Sequence, residues 1–182
     1  MASEVILILG GARSGKSLFA QQLATQLGER VLFVATGAPM DEEMRRRIEL
    51  HRKARPKTWR TLETTTGVAK AISEQIKDAD VVILDCLALF VSNFMGNAPD
   101  SEDIDALESD LVDELCTLLE RKERKSLIIV SNEVGMGLVP PYPVGRAYRD
   151  LLGRANQFIA QCADRVYLMV AGIPLQLKGD EK

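Results

Sequence analysis

Apolar positions along this chain fall into two alternating patterns. Residues 5–9, 31–35, 81–85, 127–131 and 165–170 are short runs rich in Val, Ile and Leu. Runs of this kind read as strands covered on both faces, as in a parallel sheet. Between them the apolar spacing becomes helical. Phe19, Leu23 and Leu27 mark a helix over 17–27 that Gly28 is placed to end, and the helical segment 41–54 stops before Pro56. Val68, Ile72 and Ile76 mark 66–76; Ile104, Leu107, Leu111, Leu115 and Leu118 mark 101–120; Tyr148, Leu152, Ala155 and Ile159 mark 145–162. Strand–helix alternation predicts a three-layer α/β domain: a mostly parallel central sheet, right-handed crossovers, and helices on both faces. The final apolar stretch, Ile173-Pro174-Leu175-Gln176-Leu177-Lys178, predicts a short edge strand. Asn97-Ala98-Pro99-Asp100 reads as a loop within a single domain spanning 1–182, and Gly179–Lys182 as a solvated tail.

Composition narrows the setting. A chain of 182 residues can bury a proper core. No stretch approaches the ~20 apolar residues of a membrane span. The first strand begins without a charged-then-apolar leader, so a cytoplasmic protein is expected. A net charge of -3 speaks against bulk nucleic-acid binding. Three cysteines without paired spacing fit a reducing compartment. Cys116 and Cys162 lie in helical stripes and read as core, as does Cys86 behind its strand. A single histidine excludes a Cys/His zinc cluster.

The first strand runs into Gly10-Gly11-Ala12-Arg13-Ser14-Gly15-Lys16-Ser17. A strand, then Gly, four residues and Gly-Lys-Ser, then a helix, is the P-loop pattern. Its glycines let backbone N–H groups close around phosphate oxygens, Lys16 reaches the β- and γ-phosphates, and the Ser17 hydroxyl ligates Mg²⁺. The helix behind it points its positive end at the same anion. Val81-Val82-Ile83-Leu84-Asp85 is an apolar strand ending in an acid, the place where P-loop proteins hold the Mg²⁺ shell. A turn-capping aspartate is the plain alternative. Glu133 follows the strand 127–131 and so lies beyond a strand's carboxyl end, where open α/β sheets bind ligands. It is a candidate base or Mg²⁺-shell residue, or equally a glutamate that caps its own turn.

The segment 41–54 is the least ordinary. Met44, Ile48 and His51 share one helical face, so His51 is expected to point toward the protein or a cleft. Arg45, Arg46, Arg47, Arg52, Lys53, Arg55, Lys57 and Arg60 surround it, eight of the chain's 23 basic residues. Such a cluster suits a polyphosphate, and a cationic surrounding favours a neutral, nucleophilic imidazole. Arg45 and Arg46 read as a solvated face. Periodicity alone favours a packed, hydrogen-bonded side chain for His51.

Four stretches together carry a resemblance: the P-loop; Arg47-Ile48-x-x-His51-x-x-x-Arg55-Pro56-x-x-Trp59-x-Thr61-x-Glu63; Asn132-Glu133-Val134-Gly135-Met136-Gly137 with Val139-Pro140; and Arg149-Asp150-x-x-Gly153-x-x-Asn156-Gln157. Over about residues 4–178 the chain resembles the bifunctional adenosylcobinamide kinase/adenosylcobinamide-phosphate guanylyltransferase family of vitamin B12 biosynthesis. The resemblance implies a RecA-like P-loop fold and a homotrimer. It also implies two Mg²⁺-dependent reactions. A nucleoside triphosphate, GTP or ATP, phosphorylates the aminopropanol hydroxyl of adenosylcobinamide, and GTP then transfers GMP to that phosphate through a GMP-histidine intermediate. His51 matches the catalytic histidine, which reverses the reading from periodicity. Residues 10–17, Ala35, Thr36, Gly37, Arg52, Lys53, Ala54, Arg55, Glu63 and Asp85 match nucleotide-binding positions, with Ser17 and Asp85 toward the metal. The proline-rich Pro140-Pro141-Tyr142-Pro143 departs from the family and is expected to stiffen a lid. The alternatives are a monofunctional P-loop small-molecule kinase, which has no use for His51, and a nucleotide-dependent switch. Against the switch, no Asn-Lys-x-Asp loop is present.

Overall fold

Seven strands form one sheet in the order β3-β2-β4-β5-β1-β6-β7 in the computed structural model, which describes residues 3–38, 41–97, 104–122 and 124–179. The elements in chain order are β1 (Val5–Gly10), α1 (Lys16–Leu27), β2 (Val31–Ala35), α2 (Glu42–Ala54), β3 (Arg60–Glu63), α3 (Val68–Gln75), β4 (Val81–Asp85), α4 (Leu87–Asn97), α5 (Ile104–Arg121), β5 (Ser126–Val130), α6 (Pro143–Cys162), β6 (Arg165–Val170) and β7 (Ile173–Lys178). Every neighbouring pair is parallel except β6 with β7. Parts of two expected features lie outside the described residues: 98–100 of the loop at 97–100, and 101–103 at the start of the helix at 101–120. So does Asp180–Lys182 of the tail.

The central strands are apolar along their whole length because both faces are covered, and β1, β2, β4 and β5 are almost wholly buried. Right-handed crossovers put α1 and α2 on one face and α3 to α6 on the other. Accordingly α1 packs over β1, β5 and β4, while α5 packs against α3, α4 and α6. On α5, Leu107, Leu111, Leu115 and Leu118 face the core as their spacing predicts, but Ile104 is exposed at the helix start. Cys86 is buried, whereas Cys116 is only half-buried and Cys162, the last residue of α6, is exposed. The core reading for Cys162 fails because its helix ends there, beyond the reach of the sheet. No helix among the described residues is long and apolar enough to cross a membrane.

Two elements depart from the sequence reading. The strand β3 was not expected, since Arg60-Thr61-Leu62-Glu63 carries one apolar residue. It forms because it closes the sheet edge beside β2, where only Leu62 is half-buried. The helix α4 was not expected because its sequence, LALFVSNFMGN, is apolar on nearly every side at its start. Leu87, Ala88, Phe90 and Val91 are all buried, and within 87–96 only Ser92 and Gly96 are exposed, too little for a polar stripe to mark the helix.

The amino-terminal starts of β2 and β4 are tied together by charge. Asp80, just before β4, accepts from Arg30 N at 3.1 Å, Arg30 Nε at 3.2 Å and Arg30 Nη2 at 2.5 Å. These side-chain and backbone bonds hold the Asp80 carboxyl down at about 2, below its ordinary 3.8. A depressed carboxylate stabilises the fold above its unfolded pKa and ceases to as pH falls through the folded one. Melting temperature should therefore fall as pH drops from about 4 toward 2, and Asp80→Asn should flatten that part of the profile. Thermal melts of both proteins across this range check it; superimposable profiles would remove Asp80 from the acid response.

Candidate nucleotide site

The loop between β1 and α1 is shaped by backbone that few side chains tolerate. Gly10 has φ 151°, and a Cβ there would meet Met169 O at 2.6 Å and Ser14 Oγ at 2.7 Å. Gly15 has φ 95°, and a Cβ would stand 3.1 Å from Gly172 Cα. Arg13 adopts a left-handed φ of 56° without being glycine, the kind of strain found at ligand clamps. The first turn of α1 has no side-chain cap, so its N–H groups remain available to an anion. Ser14 Oγ is buried and has no hydrogen-bond partner, as expected of a group that waits for a phosphate oxygen. Lys16 is buried and folds back over the loop, donating from Nζ to Gly10 O at 2.9 Å and to Gly11 O at 2.6 Å.

The loop is braced from both sides. Glu133 N donates to Gly10 O, and Gly172 N in the β6–β7 turn donates to Ser14 O at 3.0 Å. Phe19 on α1 meets Tyr167 on β6 edge to face, with ring centroids 5.1 Å apart. The two hydrogen bonds brace the loop through its carbonyls, while within it Ser14 N donates to Gly11 O.

At the ends of β2 and β4 a second group gathers. Ala35 pairs with Asp85 across these strands and with Glu63 on the other side. Thr36 is fully buried, and every polar group it has is engaged. Its Oγ1 donates to Cys86 O at 2.7 Å and accepts from Cys86 N at 3.0 Å, its N donates to Asp85 O, and its O accepts from Asn93 Nδ2 at 2.8 Å. Thr36 thus serves to hold the two strand exits together. Asn93 belongs to α4, so the missed helix hid this anchor from the sequence. Burial pushes the Cys86 thiol up to about 11, which leaves it inert as a nucleophile. The same cause pushes Tyr148 up to about 12, with its hydroxyl donating to Ala88 O.

The basic helix α2 touches the sheet at few points. Ile48 and Leu89 close over Gly37, where a Cβ would stand 3.7 Å from one and 3.3 Å from the other. Arg52 Nη2 pairs with Glu63 Oε1 at 2.9 Å. Arg55 stacks over the Phe33 ring, its Cζ 3.8 Å from the centroid. Burial lowers the Arg55 pKa, opposed by the nearby charges of Asp85 and Glu63. His51 is exposed, so neither the expected inward orientation nor the packed alternative holds. One turn before it Ile48 takes the contact with the sheet, and the helix then carries His51, Arg52 and Lys53 out into solvent. The backbone of α2 is described throughout, but the side chains of Met44, Arg47 and Ala54 lie outside the description. Arg45 and Arg46 are exposed and pair with Glu42, as a solvated face should.

Glu133 turns its carboxylate onto its own loop, where Oε1 accepts from Gly135 N at 2.6 Å. Of its two readings, the turn cap is the one seen here. Behind it stand Ser131 and Asn156, both buried and hydrogen-bonded to each other at 2.6 Å. Neither was a site candidate. Asn156 stood in a recognisable motif, but no chemistry was attached to it.

Comparison with known proteins places this arrangement. The family described as "Cobinamide kinase / cobinamide phosphate guanyltransferase" matches residues 6–177. The chain belongs to this family. The bifunctional adenosylcobalamin biosynthesis protein CobU of Escherichia coli (strain K12) is 39% identical over 181 residues, covering 96% of this chain and 99% of that protein. The bifunctional adenosylcobalamin biosynthesis protein CobP of Pseudomonas aeruginosa is 40% identical over 174 residues, covering 96% and 97%. Among solved structures, the RadB recombinase aligns with a TM-score of 0.50 at 16% identity, covering 92% of this chain and 74% of that one. An ATP synthase subunit, NeqB from Nanoarcheaum equitans, aligns with a TM-score of 0.54 at 12% identity, covering 92% and 45%. At such identities these structures speak for the fold alone, and the fold is that of RecA-like P-loop NTPases.

For a family with this fold, the donors present suit a hard cation that arrives with its nucleotide. Among the described residues no group of three or more His, Cys, Asp or Glu side chains forms a metal cage. Ser17 in the first turn of α1 and Asp85 at the end of β4 offer single oxygens instead, and Mg²⁺ accepts one or two protein oxygens plus phosphates and waters. The framework around them depends on Thr36. Thr36→Val keeps the shape but leaves Cys86 N and O without their buried partner, which should cost on the order of 2 kcal/mol. Thr36→Ser should recover most of it. Denaturant titrations of the three proteins check this, and a valine variant as stable as the parent would count against the clamp.

Proposed function

We propose that this chain carries out both reactions of its family along the carboxyl edge of the sheet, and that His51 is the nucleophile of the second. One observation carries the reading: a phosphate cradle with uncapped amides and an orphaned Ser14 hydroxyl shares its sheet edge with a basic helix that presents the chain's one histidine to solvent. In the first reaction, residues 10–17 hold the triphosphate of GTP or ATP. Lys16 leaves the Gly10 and Gly11 carbonyls to neutralise the β- and γ-phosphates. The aminopropanol hydroxyl of adenosylcobinamide attacks the γ-phosphorus, a phosphorus–oxygen bond forms, and the nucleoside diphosphate leaves. Glu133 is the candidate acceptor of the hydroxyl proton, once its carboxylate exchanges the Gly135 N–H for that hydroxyl. Mg²⁺, held from Ser17 and Asp85, would offset charge on the phosphate oxygens.

In the second reaction an imidazole nitrogen of His51 bonds to the α-phosphorus of GTP as pyrophosphate departs. A phosphate oxygen of adenosylcobinamide phosphate then attacks the same phosphorus, and the imidazole leaves. One difficult displacement becomes two easier ones. Arg52, Lys53 and Ala54 follow His51 on α2, with Arg55 just past its end, and bring the phosphates toward it, while Glu63 accepts hydrogen bonds from guanine N1–H and N2–H. Ala35, Thr36 and Gly37 line the exit of β2 beneath them.

The same reading makes residues 1–182 one catalytic domain, cytoplasmic and assembled as a homotrimer. Ile173, Leu175 and Leu177 support subunit contact, since they leave an apolar stripe exposed on the edge strand β7. The test is covalent. Protein is incubated with Mg²⁺ and GTP labelled at the α-phosphate, denatured and weighed intact. The parent should gain an acid-labile GMP, and a folded His51→Ala variant should gain none. Absence of the adduct on a folded, GTP-binding parent would leave only a P-loop kinase.

A further inference from the structure

A chain of hydrogen bonds leads from the middle of α6 to the P-loop. Asn156 is buried, and its Nδ2 donates to Asn132 O at 3.1 Å while its Oδ1 accepts from Ser131 Oγ at 2.6 Å. The flanking backbone is pinned to β1: Ser131 N donates to Ile8 O at 2.9 Å, and Glu133 N donates to Gly10 O at 3.1 Å. One side chain on a helix therefore fixes the exit of β5 against the strand that carries the phosphate loop.

The last acceptor in this chain is shared. Gly10 O also receives Lys16 Nζ at 2.9 Å, and Gly10 is buried. On the reading of residues 10–17 as the phosphate site, Lys16 turns its ammonium from that carbonyl toward the phosphates. A buried carbonyl stripped of its donors is costly, while one that keeps a donor is not. The Glu133 N–H is the donor that stays behind.

We propose that Asn156 is a positioning residue for nucleotide binding: by holding the β5 exit it keeps the Glu133 N–H on Gly10 O, and so releases Lys16 to the phosphates. The inference rests on the reading of residues 10–17 as the phosphate site. Asn156 touches no phosphate; it acts through Asn132 and Glu133. Without its amide the exit of β5 drifts, Lys16 becomes the principal donor to Gly10 O, and each binding event must strip that carbonyl.

A double-mutant cycle separates this role from simple support of the fold. Binding of a fluorescent GTP analogue with Mg²⁺ is titrated against the parent, Asn156→Ala, Lys16→Ala and the double variant, each checked for folding by circular dichroism. Asn156→Ala should weaken binding about tenfold when Lys16 is present. In the Lys16→Ala background it should change binding by less than about twofold, since no ammonium is left to release. Ser131→Ala, which removes the donor that orients the Asn156 amide, should act in the same direction with a smaller loss. It takes the place of Asn156→Ala in the cycle if that variant does not fold. Equal losses in both backgrounds, or no loss with Lys16 present, would overturn the proposal. A parent that binds no GTP would overturn the phosphate-site reading instead.

Discussion

A loop that offers its amide hydrogens to a phosphate cannot also use them to hold its own shape. Residues 10–17 keep one internal amide bond, Ser14 N to Gly11 O, and take their other support through their carbonyls. Their carbonyls accept from Lys16, Glu133 and Gly172, while the amides of the first helical turn stay uncapped. The surrounding structure follows from that need. The β6–β7 turn approaches so closely that Gly15 has no room for a side chain. The exit of β5 must sit where one backbone N–H reaches Gly10. Even the order of the sheet serves it, since β1 lies between the two strands, β5 and β6, whose ends supply the braces.

The basic helix answers a different need. On the chemistry proposed for it, His51 must meet two partners in turn, the triphosphate and the acceptor. A side chain locked into the core could serve neither. The light anchoring of α2 fits this. Ile48 rests over Gly37, Arg55 lies on Phe33, and Arg52 pairs with a half-exposed Glu63. Ile48 and Arg55 are both half-buried, and burial lowers the Arg55 pKa against the opposing charges of Asp85 and Glu63. The Arg52–Glu63 pair is exposed on both sides and therefore weak, which leaves both groups ready to exchange each other for a nucleotide.

Much of this was legible in the sequence because local and global preferences agree. The buried strands are continuous apolar runs, the P-loop lies between a strand and a helix, and the antiparallel edge strand at 173–178 shows in its alternation. Illegible parts share a physical cause. β3 is an edge strand with a single half-buried apolar residue, Leu62, and the start of α4 is buried almost all round, so neither shows a clear apolar period. His51 was misplaced for a related reason. Helical spacing says which residues share a face, but not where along the helix that face leaves the core. Asn93 lies on the unread helix α4, and Asn156, although it stands in a motif, bonds a backbone carbonyl oxygen, a role that residue type and spacing do not reveal.

Those two asparagines point to a common solution. In this strand order β5 stands between the P-loop strand β1 and the acid-bearing strand β4. With neighbouring strands roughly 5 Å apart, the two halves of a phosphate site begin about 10 Å from each other. Neither half can hold the other directly, so each is fixed separately from the helical layer on the far side of the sheet. Asn93 on α4 donates to Thr36 O at the exit of β2, and Thr36 in turn bonds Cys86, next to Asp85. Asn156 on α6 does the equivalent at the exit of β5. α4 packs against α6, so the two clamps stand on one helical pair. The helices opposite the P-loop helix are thus more than cover for the sheet: they fix the exits of β2 and β5, the strand ends that flank the proposed nucleotide site.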